Sequence, residues 1–412
     1  MTSNLKLAPL INLSIKALTL LGKFILIFYI AKYLPPQEVG IYGLLVVLVS
    51  YSLYAVGFDF YTFSTRELLH KEKEKWGGFL KTQGYLILFA YLLFLPLILL
   101  VSSYFIDIKW LIFLFFLIIL EHLNQEVMRL LIIDKKLVWA NNLLFIRSGL
   151  WCYIIIAAMY LSLVEKNLNN ILYIWLISDI LSLYVGWFVL KKGIYFKSRD
   201  KIQIEWIKKG LKICIPLLGS TLILRGITTL DRIWLEKLEG LEVIAAYSLF
   251  FGLANSILSF LDTGVFSFIY PKMIQEKNNK NNFVKLVKKM LLQTLFLTLL
   301  VSIFLIISLP YLLNWIGKNV YYNYENIFYI ILFANVLYCV AMIPHYILYS
   351  KHQDKQIVIA HIFGLSVFIL STLLFIYNNV EVAVAYGIFC SFLSILLVKI
   401  VFVIWKIRFN YQ

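Results

Sequence analysis

The stretch QGYLILFAYLLFLPLILLVSSYF, residues 83–105, contains no charged side chain. As an α-helix, about 20 mainly apolar residues are enough to cross the roughly 30 Å hydrocarbon core of a bilayer. Similar apolar stretches follow one another from Leu10 to Trp405 with short gaps between them. This succession is typical of a protein that crosses a membrane many times.

The sequence predicts about twelve transmembrane helices. They are expected at residues 10–33, 39–63, 83–105, 109–132, 137–163, 168–190, 209–234, 242–270, 284–310, 325–349, 356–376 and 382–405. The chain is 62% hydrophobic and 17% aromatic, with a mean hydropathy of +0.85, which is more apolar than a soluble chain needs. The two-residue alternation of barrel strands is missing. The predicted fold class is therefore an all-α polytopic membrane protein.

The distribution of Lys and Arg predicts the orientation of the helices. With a cytoplasmic N-terminus, most basic loop residues fall on the cytoplasmic side, including the clusters at residues 66–81, 191–209 and 272–289. The loops assigned to the outside carry only Lys109, Lys166, Lys237 and Lys318. The positive-inside rule then predicts that both termini are cytoplasmic. The same loops account for most of the net charge of +16, so nucleic acid is not expected as a partner.

Motifs for enzymatic chemistry are missing from the sequence. The four cysteines lie singly in apolar stretches, and the five histidines lack helical ligand spacing, so no disulfide, metal or cofactor is expected. There is no phosphate-binding glycine loop and no nucleophile elbow. We therefore predict no catalytic residue, and any transport would be driven by an ion gradient, by the membrane potential or by the solute's own gradient.

The long basic gap from Lys191 to Lys209 divides the chain into two predicted bundles of six helices, residues 1–195 and 196–412. An even number of spans in each half gives both halves the same orientation, as in the parallel repeats of transporters. The sequence DKKLVWA at 134–140 is echoed by DKQIVIA at 354–360, and both follow the fourth span of their half. This placement favours a true internal repeat over a chance match.

Several charged residues fall inside predicted spans, where a charge costs roughly 2.5–3.5 kcal/mol on insertion scales. Lys16, Lys23, Arg147 and Arg225 have no acid three or four positions away in their own helix. We expect these four to line a cationic cavity, which would suit an anionic solute and phosphate above all. Arg66 and Arg232 are further candidates for this cavity. Both lie near span ends, where snorkelling or structural pairing explains them equally well.

Acidic residues in the spans are candidates for ion coupling or for structural pairing. They are Asp59, Glu121, Asp179 and Asp231. Asp231 points about 120° away from Arg225 around the helix, so we expect it to pair with a cation on a neighbouring helix. Glu126 and Arg129 are three residues apart and are expected to neutralise each other.

The seventh predicted helix contains Pro216 and Gly219. These residues can provide the bending that alternating access requires, or an ordinary kink without a gating role.

Four segments together resemble one transporter branch. They are AKYLPPQEVGIY at 31–42, GFDFYTFSTRE at 57–67, Pro216 followed by Asp231-Arg232 and Tyr247, and FIYP at 268–271. In this order they resemble the polysaccharide-export branch of the multidrug/oligosaccharidyl-lipid/polysaccharide (MOP) superfamily, which includes the Wzx-like O-antigen flippases. Lys32 replaces the usual Arg and Pro35 the usual Gly.

The resemblance implies two six-helix bundles arranged as a V around a central cavity, as in MATE transporters. It implies flipping of an undecaprenyl-diphosphate-linked oligosaccharide across a bacterial inner membrane. The partners it implies are this lipid-linked substrate, membrane lipids and polysaccharide polymerase or export machinery. The diphosphate of such a substrate would suit the cationic cavity expected from the residues.

Three other functions stay open. One is a flippase for a lipid-linked peptidoglycan precursor, although relatives of that kind usually have two further helices. A multidrug cation exporter of the same superfamily would be expected to have a cavity dominated by acids. A membrane-embedded glycan-modifying enzyme would need a substantial outside loop with clustered acids or histidines, whereas the outside segments near 311–324 and 377–382 have only Glu325 and Glu381 nearby.

The predicted topology can be tested with reporter fusions. Fusions after Lys75, Lys201 and Lys280 should report the cytoplasm, and fusions near Asn319 and Asn379 should report the outside, because basic loops are retained inside. The measurement is alkaline phosphatase against green fluorescent protein activity at each position. An outside signal at Lys201 would contradict the arrangement of two parallel halves.

Overall fold

The computed structural model describes residues 4–191 and 202–409. In this part of the chain, 11 helices are long and apolar enough to cross a membrane, or up to 12 when one bent helix is included. The predicted all-α polytopic fold is therefore confirmed. The predicted boundary between residues 195 and 196 lies outside the described residues, as does Lys201. By its packing the chain divides into two compact units, Met1–Leu222 and Ile223–Gln412.

The first unit is a bundle of helices that pack mainly on α5 and α8. Its elements are α1 (Asn4–Tyr33), α2 (Pro36–Gly57), α3 (Tyr61–Leu69), a 3₁₀ turn (Lys73–Lys75), α4 (Trp76–Ser102), α5 (Ile108–Ile133), α6 (Leu137–Phe145), a π-helical turn (Ile146–Leu150), α7 (Trp151–Tyr160), α8 (Leu168–Leu190) and the first part of α9 (Ile204–Glu239).

The second unit contains the remainder of α9 and seven further helices. They are α10 (Leu241–Leu261), continued through a π-helical turn (Asp262–Phe266) into α11 (Ser267–Gln275), then α12 (Lys280–Ile316), α13 (Asn319–Asn323), α14 (Glu325–Ser350), α15 (Asp354–Tyr377) and α16 (Ala383–Phe409). Helix α16 packs closely against both α14 and α15. The bent helix is α9, whose segments Ile204–Pro216 and Leu218–Glu239 meet at 43°, at the proline that the sequence singled out.

The second span ends earlier than predicted. Helix α2 stops at Gly57, and Phe58 and Asp59 have φ angles of 51° and 50°, which interrupt the helix before α3 begins. A Cβ at residue 57 would lie 2.9 Å from Nε2 of His122 on α5, so the glycine permits this close approach. The predicted span 39–63 is therefore a shorter helix followed by a break, because a left-handed turn of two non-glycine residues has no signal in hydropathy.

The short turns between α5 and α6 and between α14 and α15 hold the two echoed sequences. In the first turn, Asp134 forms ion pairs with Lys73 at 2.6 Å and with Lys136 at 2.9 Å. These contacts tie the loop before α4 to the turn before α6. The second turn ends at Asp354, which is the first residue of α15.

Small residues allow α15 and α16 to approach closely. The hydroxyl of Ser391 donates to the carbonyl oxygen of Gly364 at 2.9 Å. A Cβ on Gly387 would lie 2.0 Å from Oγ1 of Thr372. Such contacts are typical of membrane helices, which associate by van der Waals packing and interhelical hydrogen bonds.

This contact predicts the effect of adding one methyl group. Gly387→Ala should lower stability by about 1–3 kcal/mol through overpacking, even though alanine favours helix by about 1 kcal/mol. Gly252→Ala on α10 is the matched control, because its Cβ would meet no atom within 4 Å. Thermal unfolding of both purified variants in detergent is the measurement. Equal melting temperatures for the two variants would contradict the close helix contact.

Candidate functional site

Arg147 lies in the π-helical turn between α6 and α7 and is 6% exposed. One guanidinium nitrogen is 3.1 Å from Oε2 of Glu121 on α5 and also donates to the Glu121 carbonyl oxygen at 3.2 Å. Glu121 accepts a second hydrogen bond from the indole of Trp175 on α8 at 3.0 Å. The acid that is missing from Arg147's own helix is therefore supplied by another helix of the same unit.

The π-helical turn changes the backbone hydrogen bonding around Arg147, and α8 compensates for it. Ser178 donates to the carbonyl oxygen of Ile146 at 2.5 Å, and Ser182 donates to that of Leu143 at 3.3 Å. Single π turns inside α-helices are often found at functional sites. Here the turn coincides with the charged residue of the span.

Asp179 on α8 adds a second acid to this group and is 0% exposed. Its backbone oxygen accepts from the Asn124 side chain at 3.0 Å, but within the described residues its carboxylate oxygens have no hydrogen-bond partner. Glu121, Arg147 and Lys23 all interact with it electrostatically. A buried carboxylate without donors is costly, so this arrangement can bind a proton or a cation at Asp179.

Helix α1 positions Lys23 beside this group through a close helix contact. A Cβ on Gly22 would lie 2.9 Å from the Gly149 carbonyl oxygen, and a Cβ on Gly149 would lie 2.8 Å from the Cα of Thr19. The next residue along α1 is Lys23, which is exposed, as is Lys16 two turns earlier. The group thus has two buried acids, one buried cation and one exposed cation.

The second unit contains a separate buried pair. Asp231 on α9 is 0% exposed, and its carboxylate accepts from the Arg232 guanidinium at 3.1 Å and from the Tyr247 hydroxyl of α10 at 2.7 Å. The Arg232 guanidinium lies 4.6 Å from the ring centre of Phe251. The expectation that Asp231 pairs with a cation on a neighbouring helix is wrong. Adjacent residues on a helix diverge at the backbone, but a long arginine side chain bends back far enough to meet the carboxylate.

The remaining predicted site residues are spread over both units. Arg225 is exposed on α9 and interacts electrostatically with Tyr338 of α14. Arg66 is exposed on α3, whereas Asp59 is buried in the break before that helix. The predicted ion pair of Glu126 and Arg129 is present.

Lys399 on α16 was not among the predicted site residues, and it is 0% exposed. Its ammonium group lies 3.4 Å from Nδ1 of His345 on α14, and the His345 ring stacks near that of His361 on α15. The signal was present, because Lys399 interrupts the apolar run SILLVKIVFVIW of the last span. The described residues contain no group of three or more His, Cys, Asp or Glu side chains able to hold a metal ion.

The fold resembles those of several solved transporters. An inward-facing multidrug resistance MATE family transporter of the MOP superfamily matches with a TM-score of 0.75 and 15% identity, over 97% of this chain and 98% of that chain. The lipid II flippase MurJ, in an inward closed conformation, matches with a TM-score of 0.72 and 14% identity, over 94% of this chain and 86% of that chain.

A third solved structure is a MOP superfamily transporter from Pyrococcus furiosus Vc1 (DSM3638), described as having a binding pocket of reversed polarity. It matches with a TM-score of 0.53 and 14% identity, over 98% of this chain and 94% of that chain. No protein-family model matches the sequence, and no curated protein matches it. At these identities the likeness shows the fold alone.

Proposed function

We propose that the protein is a flippase for an undecaprenyl-diphosphate-linked oligosaccharide. It would move this carrier-bound repeat unit of a surface polysaccharide, such as O-antigen, from the inner to the outer leaflet of a bacterial inner membrane by alternating access. The transporter fold shared with a lipid II flippase supports the general class. The anionic substrate is supported by the distribution of charge within the spans.

The observation that carries the proposal is the exposure of basic residues inside the first span. Lys16 and Lys23 of α1 are exposed, whereas the acids Glu121 and Asp179 of the same unit are buried. An exposed cation inside a membrane span requires water or an anionic partner. A lipid diphosphate would provide that partner each time the substrate passes.

The buried arginines have a different part in this proposal. Arg147 and Arg232 each have a carboxylate at 3.1 Å, so their charge is already balanced within the unit. Removing one member of a buried pair typically costs 3–5 kcal/mol, because the other charge remains buried. We therefore assign these two arginines to positioning and the exposed cations to substrate contact. Arg66, exposed on α3, belongs with the exposed cations.

The proposal includes ion coupling through the group around Asp179. Its carboxylate shares the Arg147 cation with Glu121, so a proton or cation bound there would balance the local charge. Asp59 and Asp231 complete the set of acids proposed for coupling or structural pairing.

One residue favours the alternative function, a cation exporter of the same superfamily. Asp262 is exposed in the π-helical turn between α10 and α11. It interacts electrostatically with Tyr338 and Tyr346 of α14. Tyrosine rings beside a carboxylate can hold an organic cation. Asp262 is therefore the residue that would favour a cationic solute over an anionic one.

The substrate is tested by deleting the gene in its native host. Loss of one surface glycan, with accumulation of diphosphate-linked oligosaccharide on the inner leaflet, is the expected result. Mass spectrometry of extracted lipid carriers identifies the accumulated species. An unchanged surface glycan and a normal lipid-carrier pool would reject the proposed flippase.

The charge of Arg225 tests the type of solute. Arg225→Lys should keep measurable export because it retains the charge but not the bidentate fork, and Arg225→Gln and Arg225→Glu should lose progressively more. Glycan export is measured beside membrane abundance for each variant. The exposed Lys237 at the end of the same helix gives the matched control, and Lys237→Glu should leave export unchanged. Normal export and abundance with Arg225→Glu would exclude an anionic substrate, and a cation exporter predicts the reverse order.

A further inference from the structure

A lysine, two histidines and a proline occupy one end of the α14–α15–α16 bundle. Lys399 is fully buried on α16, His361 is buried on α15 and His345 is half-buried on α14. The Lys399 ammonium lies 3.4 Å from Nδ1 of His345. The imidazole rings of His345 and His361 lie 6.2 Å apart and are nearly parallel, at 11°.

Helix periodicity explains why these residues meet. On α16, Gly387, Ser391, Ile395 and Lys399 recur every four residues, so each lies beside the next along the helix surface. The first three contact α15 through its small residues, and Lys399 extends this row by one turn. Tyr338 of α14 packs on Phe392 of α16 with ring centres 4.8 Å apart. Seven residues further along each of these two helices lie His345 and Lys399.

In the described part of the chain, no acid forms an ion pair with Lys399 or His345. The charged groups that act on His345 are Lys399 and His361. Because an isolated charge is expensive to bury and like charges repel, burial disfavours a positive charge on Lys399 and on His345 at the same time.

The surrounding titratable groups are mostly tyrosines. They are Tyr346 and Tyr349 of α14, Tyr270 of α11, Asp262 of the π-helical turn and Asp354 at the start of α15. The two carboxylates interact with the tyrosines and are not among the groups acting on Lys399 or His345.

His345 lies beside an exposed tyrosine near the end of α14. Its ring stacks on that of Tyr349 at 6.2 Å, and Tyr349 is 43% exposed. His345 lies five residues before the end of α14, so at 1.5 Å per residue the cluster is roughly 8 Å from the turn to α15. Pro344 precedes His345 inside the helix and lacks the amide hydrogen that would hold this turn of α14 rigid.

We propose that Lys399, His345 and His361 form a proton-binding site of the second unit, and that this proton couples to transport. In the occupied state, Nζ of Lys399 donates to Nδ1 of His345. Transfer along this hydrogen bond leaves a neutral amine and an imidazolium, with the total charge unchanged. Release from the half-buried imidazole to water then leaves a neutral cluster. The coupling rests on the proposed transport function, whereas proton binding does not.

Proton binding is tested on the purified full-length protein in phosphatidylcholine nanodiscs. With ¹⁵N-labelled histidine, the His345 resonances should change with pH as the shared proton is gained and lost, and His345→Gln assigns them. Lys399→Met should shift that titration and remove about one proton from the uptake measured with a pH indicator after an acid jump. Lys399→Arg keeps a permanent charge and should remove the same proton. Since arginine preserves the cation, it tests the site even if the methionine variant fails to fold.

The matched control is a second lysine–histidine pair at the same end of α14. Lys277 and His352 lie 3.0 Å apart but are exposed. Lys277→Met and His352→Gln should leave the His345 titration unchanged. An unaltered His345 titration and unaltered proton uptake in both Lys399 variants would overturn the proposal.

Coupling is tested separately in cells. The rate at which new glycan reaches the surface should depend on external pH in the wild type and lose this dependence in Lys399→Arg, at equal membrane abundance. Retained pH dependence would overturn the coupling. If deletion of the gene leaves the glycan unchanged while the His345 titration still depends on Lys399, the flippase fails and the proton site stands.

Discussion

The pairing of buried charge within each unit is the constraint on which the rest of the structure depends. Hydrocarbon offers no hydrogen bonds to a charged group, so each charge in a span needs a partner supplied by the protein or by water. Arg147 receives Glu121 from α5, and Arg232 receives Asp231 together with the Tyr247 hydroxyl. These pairs tie helices together and also fix which charges remain available to a solute.

Small residues determine where charged residues of different helices come together. In the first unit, Gly22 and Gly149 bring α1, which carries Lys23, close to the turn that holds Arg147. In the second unit the contact of Gly364 with α16 does the same for the row of residues that ends in Lys399. A larger side chain at these glycines would push the helices apart. It would therefore also move the charged residues that lie next to these contacts.

Hydropathy was sufficient to predict the spans, because the length and apolar character of a membrane helix are set by the bilayer. Periodicity within one helix also predicted the Glu126–Arg129 pair. It could not predict partners on other helices, so the contact of Arg147 with Glu121 was missed. The break at Phe58 and Asp59 and the π-helical turn at Arg147 depend on tertiary packing, which leaves no trace in local composition.

The basic residues in the spans differ in what neutralises their positive charge. Arg232 keeps its charge permanently, and the carboxylate of Asp231 in contact with it balances that charge. Lys16 is exposed, so water or an anionic solute can balance its charge. Lys399 is buried beside an imidazole instead of an acid, and such a group can become neutral only by releasing its proton. Arginine could not serve in this last position, since it keeps its charge. The buried lysine on α16 can therefore lose its charge by releasing a proton, whereas the buried arginines keep their charge.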